Sequence, residues 1–198
     1  MADPGPKARA SGSFGKHGMI WRSAHFSAER GIHMAKVIFL CGKICSGKTT
    51  LARKLLARGG AVLLSCDEVS EIIFHKDLGE KHDAVMLDVK EYLHKKARDV
   101  LAAGCDVILD WGFWKKAERR AVREMYALDG VEQEWYYVAP SDEQWRRNIE
   151  QRNAAVLAGT SPDYYVDEGL MAKLLANFEP PERDEMARWH FGADETAL

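Results

Sequence analysis

A three-layer α/β fold, a parallel sheet of about five strands between helices with a small helical lid, follows from three features of the chain. Short apolar runs alternate with helical patterns from residue 35 onward, which is how a parallel sheet wrapped on both faces reads in sequence. The first run, Lys36 to Cys41 (KVIFLC), is apolar without alternation after its lysine, as in a strand buried on both faces. It leads straight into CGKICSGKTT, where two glycines and a lysine stand at a place that offers them no packing role.

Each element has its own warrant. KTTLARKLLARG reads as a helix closed by Gly59 and Gly60. AVLLS (Ala61 to Ser65) is a second strand, and EVSEIIFHKD a short helix. The stretch from His82 to Gly104 carries apolar residues at Val85, Leu87, Val89, Leu93, Ala97, Val100 and Leu101, read as a long amphipathic helix with Gly104 as its stop. DVILD (Asp106 to Asp110) is a third strand, and a charged helix follows to Gly130. EQEWYYV (Glu132 to Val138) is a fourth strand. Ser141 and Gln144 have capping-box spacing at the head of the next helix. Gly159 to Tyr165 is a loop, DEGLMAKLLANF a last helix stopped by Pro180 and Pro181, and ARWHFG a candidate final strand.

The 198 residues fit one ordered domain. Met1 to His33 is rich in Pro, Gly, Ser and Ala with no period, so it reads as a flexible N-terminal extension or an added leader before a domain at 34–198, with the lid at 146–166. A net charge of -2 argues against a broad basic face for nucleic acid or acidic lipid. The four cysteines, Cys41, Cys45, Cys66 and Cys105, lack paired spacing, and the seven histidines are scattered. Buried thiols in a reducing compartment fit better than disulfides or zinc. No apolar run approaches the roughly 20 residues of a membrane helix, and the N-terminus lacks a signal-peptide core. The expectation is a cytoplasmic protein.

Gly42, four residues, then Gly47-Lys48-Thr49 matches G-x-x-x-x-G-K-[ST], placed after a buried strand and before a helix. Such a loop curls so that the backbone N–H groups of Gly42, Lys43, Ile44, Cys45, Ser46, Gly47 and Thr50 can face phosphate oxygens. The helix N-terminus adds its dipole. Lys48 supplies a point charge, and the Thr49 hydroxyl can ligate magnesium.

Two carboxylates end neighbouring strands. Asp67 is read as the base toward an acceptor hydroxyl, and Asp110 as a metal or substrate ligand. The roles are exchangeable, and Asp67 could instead cap the next helix. Arg146, Arg147 and Arg152 belong either to a solvated helix face or to a lid, where Arg147 would contact phosphate and Arg152 would stabilise transition-state charge. Trp111, Phe113 and Trp114 in WGFW are expected to wall an acceptor pocket and contact substrate, with one tryptophan packing and the other touching it.

These residues together, with ILDWGFW, RRNIEQRN and FEPP (Phe178 to Pro181), resemble the AAA_33-type P-loop kinases, a group similar to zeta-toxin, chloramphenicol phosphotransferase and gluconate kinase. The resemblance covers roughly Lys36 to Glu182. It implies a P-loop NTPase of nucleoside-kinase type, with the second and third strands beside the first. It implies ATP with Mg²⁺, a base at Asp67, and Phe178 and Pro180 against the adenine. Two positions depart from the pattern: Ser70 stands where zeta-like kinases carry arginine, and Asn148 where a lid arginine is expected. The reading is an ATP-dependent kinase acting on a hydroxyl of a small molecule such as an antibiotic, sugar or nucleotide-sugar. The alternatives are a regulatory ATPase without such an acceptor, and a nucleic-acid end kinase.

Overall fold

Lys36–Cys41 forms the central strand, β1, and its position in the sheet explains its composition. Strands β2 (Ala61–Ser65), β3 (Asp106–Gly112), β4 (Glu132–Val138), β5 (Arg188–His190) and β6 (Thr196–Ala197) complete the sheet in the order β2-β3-β1-β4-β5-β6. This computed structural model describes residues 34–75, 78–191 and 196–197; the expectation for Met1 to His33 lies outside them. The first five strands are parallel and β6 is antiparallel to β5. Of the two strands expected beside β1, only β3 pairs with it, and β2 lies outside β3. Cys41 stands opposite both Gly112 and Tyr137, and Ser65 opposite Asp110. The carboxyl ends therefore share one edge, where ligands of open α/β sheets bind.

Successive strand side chains point to opposite faces, so β1 serves two cores. Val37, Phe39 and Cys41 pack with Ala97 and Leu101 of α3 (His82–Ala102) and with Val122 and Tyr126 of α4 (Lys116–Leu128). Ile38 and Leu40 pack with Leu51, Ala52 and Leu55 of α1 (Lys48–Leu56). Phe39 stacks on Trp135 at 4.0 Å and meets Phe113 edge-on at 5.3 Å. Phe113 is 0% exposed and belongs to this core, so it cannot touch substrate as expected. Its left-handed backbone (φ 46°) turns the chain after β3 and drops the ring inward.

Helix starts follow local capping chemistry. Ser65 accepts from the Glu68 N–H at the head of α2 (Cys66–Phe74), so Asp67 is not the cap. Ser141 accepts from the Gln144 N–H at the head of α5 (Asp142–Leu157). The reciprocal half of that box is absent, because Gln144 Nε2 donates instead to Asn148 Oδ1 at 2.8 Å. Asp167 caps α6 (Glu168–Asn177).

Two ionic clusters tie distant segments. Arg119 is 0% exposed and donates to both oxygens of Glu185, at 2.9 and 3.0 Å, and to the carbonyls of Phe113, Trp114 and Glu179. It thereby pins the turn after β3 to the FEPP segment. Glu134 accepts from Lys36 at 2.7 Å, from Tyr136 at 3.1 Å and from Arg188, joining three strands. Burial works to raise the Glu134 pKa, but the bonds from Lys36 and Arg188 outweigh it and hold the carboxyl below the ordinary glutamate value. A depressed carboxylate pKa contributes stability above the unfolded value, lost as pH falls through the folded one. Glu134→Gln is expected to cost about 2 kcal/mol at neutral pH, less than a fully buried pair since Lys36 and Arg188 are partly solvated. Denaturant melts should show that deficit shrinking as the pH is taken below the glutamate range.

Candidate active site

The turn from β1 to α1 is shaped by close contacts. A Cβ on Gly42 would lie 2.7 Å from Ser46 Oγ and 2.8 Å from the Val138 carbonyl, so only glycine fits there. Cys45 (φ 55°) and Gly47 (φ 101°) are both left-handed, which curls the loop before α1 begins. No side chain caps α1, so its first N–H groups and its dipole face the loop's concavity, an arrangement suited to anions. Lys48 is half-buried, and its Nζ donates to the carbonyls of Gly42 at 3.1 Å and Lys43 at 2.9 Å. Burial pulls its pKa below the ordinary lysine value, against the opposing pull of Asp110 and Asp67.

Thr49 Oγ1 donates to Asp110 Oδ2 at 3.0 Å, and Asp110 is 4% exposed. Burial raises the Asp110 pKa, while Lys48 and Thr49 work the other way. A buried carboxylate beside a threonine hydroxyl is the hard-oxygen set that Mg²⁺ takes, so the two residues fit the ion that the resemblance implies.

One face of α5 grips the loop from outside. Trp145 Nε1 donates to the Ile44 carbonyl at 2.7 Å, and Asn148 Nδ2 to the Cys45 carbonyl at 2.9 Å. Arg152 Nη1 lies 3.6 Å from Cys45 Sγ. Positions 145, 148 and 152 are three and four apart, hence one helical face. Lys43 Nζ sits 3.5 Å over the Trp145 ring, a cation–π contact. Arg152 also bonds the Tyr164 carbonyl at 3.3 Å and Asp163 at 3.2 Å, which joins the Gly159–Tyr165 loop to the phosphate loop. Arg147 does not share this face. It is exposed and pairs with Glu143. Arg146 is exposed as well. Asn148, the residue that departs from the lid pattern, also reaches the loop. Trp145 was not singled out in the sequence, although its spacing from Arg152 picks it out.

Asp67 is exposed in the first turn of α2 and interacts electrostatically with Lys48, Asp110 and Tyr164. The tryptophans divide. Trp114 Nε1 donates to the Gly42 carbonyl at 3.1 Å, and its ring lies where a Gly112 Cβ would be, so its polar end is spent on the loop. Trp111 packs among α2 and α3 residues around Cys66 and stands edge-on to His94 at 5.1 Å. Its Nε1 is buried without a hydrogen-bond partner.

A cavity of about 100 Å³ adjoins the loop, lined among others by Gly47, Thr50, Lys54, Val138, Gln144 and His190. It lies on the α1 side of the sheet, with Leu51 and Val138. Phe178 packs on the other side, against the Val37–Phe39–Cys41 cluster, and stacks on Tyr137 at 6.3 Å. Pro180 is exposed. The adenine contacts expected of Phe178 and Pro180 therefore do not belong to this cavity, because neighbouring β4 positions 137 and 138 face opposite ways.

A family model described as an AAA domain, AAA_33, matches residues 37–181. The chain belongs to this family. Among proteins of curated function, none matches it by sequence. Solved structures share the AAA_33 chain's P-loop kinase fold. One is a gluconokinase from Sinorhizobium meliloti 1021 (TM-score 0.55, 15% identity, 80% of this chain and 82% of that one). Another is Kti12 of Chaetomium thermophilum in complex with ADP-AlF3 (TM-score 0.59, 18% identity, 81% and 90%). A third is the Mycobacterium tuberculosis APS kinase CysC with AMPPNP and APS (TM-score 0.50, 20% identity, 82% and 90%). At these identities the likeness establishes the fold. Among the described residues, no helix of this AAA_33 protein is long and apolar enough to cross a membrane.

Proposed function

We propose that this chain is an ATP-dependent phosphotransferase that moves the γ-phosphate of ATP to an alcohol of a small molecule. The observation that carries the reading is Asp67: an exposed carboxylate, relieved of capping by Ser65, within electrostatic reach of Lys48 at the carboxyl edge of the sheet. A regulatory ATPase has no need of a carboxylate there.

The loop N–H groups and the head of α1 bind the triphosphate, and Lys48 moves from the loop carbonyls to the β- and γ-phosphate oxygens. Asp67 accepts the proton of the acceptor hydroxyl as its oxygen bonds to Pγ. The bond from Pγ to the bridging oxygen breaks, and ADP leaves. Arg152, already beside Cys45, meets the charge that develops on the equatorial oxygens. Thr49 and Asp110 would hold Mg²⁺, which neutralises phosphate charge when bound. The cavity beside Gly47 and Thr50 receives the nucleoside, and the ADP-AlF3 and AMPPNP held by two of the structural neighbours support an adenine nucleotide. Four free thiols, two of them buried, suit the reducing cytoplasm.

The test is transfer of radiolabelled phosphate from ATP to a panel of antibiotics, sugars and nucleotide-sugars, with AMPPNP titration alongside. Labelled product from one acceptor class is the expected result. Tight AMPPNP binding with only slow hydrolysis across the panel would favour the regulatory reading instead.

A further inference from the structure

The cavity beside Gly47 and Thr50 has a polar edge whose sign is fixed from outside. Leu51, Val138 and Pro140 give it apolar walls, suited to the faces of a flat ring, and Gln144 and His190 line it as well. The turn after β4 brings these two together. The Ala139 N–H donates to the His190 carbonyl at 2.8 Å, and two residues further on Ser141 caps the first turn of α5, where Gln144 stands.

The phosphate loop orients Gln144. The Cys45 carbonyl can only accept, so Asn148 turns its Nδ2 toward it, at 2.9 Å. Asn148 Oδ1 then faces Gln144, which must present Nε2, at 2.8 Å. One backbone carbonyl thus sets both amides, and Oε1 is the end that Gln144 keeps for something else. That oxygen asks for a donor. His190 is 7% exposed, and its Nδ1 is buried without a hydrogen-bond partner, a state that buried polar atoms seldom keep. Burial, with Lys54 as a second cause, lowers its pKa, so at neutral pH the ring carries one N–H and one accepting nitrogen. The hydroxyls of Ser46 and Thr50, also in the lining, can donate or accept and select neither sign. Lys54 of the lining is exposed and has an interaction of its own, so water and that partner compete with any ligand for it.

Resting on the kinase reading, which puts the nucleoside in this cavity, we propose that Gln144 and His190 select adenine among the purines: Gln144 Oε1 accepts from the 6-amino group, and the His190 ring N–H donates to the ring nitrogen beside it. Guanine and hypoxanthine carry a carbonyl oxygen at the same position, which would meet Gln144 acceptor to acceptor. The amide cannot turn to receive it without cost. Turning Gln144 sets its oxygen against Asn148 Oδ1, and turning Asn148 as well sets that oxygen against the Cys45 carbonyl. Base choice is therefore tied to the shape of the phosphate loop through Asn148. A site built to bond a donor rejects the analogue that lacks it, because its own polar group is then left unpaired.

The experiment titrates the full chain with ADP, GDP and inosine diphosphate by calorimetry. The three share ribose and phosphates, so their ratio reports the base alone. ADP is expected to bind about tenfold or more tightly than either of the others. Gln144→Met keeps the side-chain length and the backbone cap and removes both polar ends; it should erase most of that ratio by weakening ADP alone. His190→Leu should lower ADP affinity about tenfold, and His190→Asn, whose amide nitrogen can stand in for Nδ1, should recover most of it. Equal affinities for ADP and GDP in the wild type, or a preference for GDP, would overturn the inference and leave the kinase reading intact. So would a Gln144→Met chain with an unchanged ratio, or one that loses all three nucleotides equally, since Gln144 would then only hold α5 on the loop. An unaltered ADP affinity in a folded His190→Leu chain would overturn it too; if that variant does not fold, the Gln144→Met ratio decides alone. Failure of the wild-type chain to bind any of the three would strike the kinase reading itself.

Discussion

Asp67→Asn is expected to bind ATP as the wild type does and to lose phosphoryl transfer by about 10²–10⁴-fold in kcat, the usual worth of a positioned general base. The substitution keeps size and shape and removes the negative charge, and with it the ability to take a proton. It leaves α2 in place, because the cap is Ser65 and not Asp67. The helix loses one favourable first-turn charge, worth less than about 1 kcal/mol. Taking a negative charge away from the neighbourhood of Lys48 does not weaken triphosphate binding, and by simple Coulomb reasoning strengthens it slightly. Binding and turnover should therefore separate cleanly, read as AMPPNP affinity against single-turnover rate. Wild-type turnover in this variant removes the base from Asp67, leaving Asp110 as the carboxylate to examine.

Lys48→Ala is expected to act in the opposite pattern. Nucleotide affinity should fall about 10²-fold, the scale of a lost charge-assisted bond in a partly desolvated site. The free protein should not be destabilised in proportion. Burial lowers the Lys48 pKa, so the charged form is less favoured in the folded chain than in the unfolded one. That penalty applies wherever the unfolded lysine is charged, which includes neutral pH, and it disappears with the side chain. The two bonds to the Gly42 and Lys43 carbonyls disappear too, so the changes oppose each other. Calorimetry should find a Tm close to wild type alongside the lost AMPPNP binding. A collapsed Tm would mean that Lys48 chiefly holds the loop together.

Legibility in the sequence tracked how local the cause was. The run KVIFLC needed no context to be read as a doubly buried strand, and it is the central strand. Gly42 and Gly47 were readable because backbone shape at those positions depends on neighbours within five residues and on one contact with β4. The caps at Ser65 and Ser141 lie in the same class, except that the Gln144 side chain found a better partner at Asn148. The placement of Phe113 has a cause that is not local. A phenylalanine after a strand-end aspartate looks like a substrate wall, and only the left-handed turn at that residue sends it into the core beside Phe39. Arg147 and Asn148 show it again: one residue's rotation about α5 decides which side chain meets the phosphate loop and which meets water. Phe178 and Trp114 depended on packing between segments distant in the chain, organised by buried Arg119.

By itself the sequence determined the alternation of strands and helices, the curl of the phosphate loop and the presence of carboxylates at two strand ends, since periodicity, glycine conformations and capping act over a few neighbouring residues. Tertiary structure alone decided the sheet order, which tryptophan spends its N–H on the loop, which α5 side chains grip it and on which sheet face Phe178 lies. Those outcomes are set by how helices rotate and dock against a sheet, and that depends on the fit of all the buried side chains together, not on any one segment's pattern.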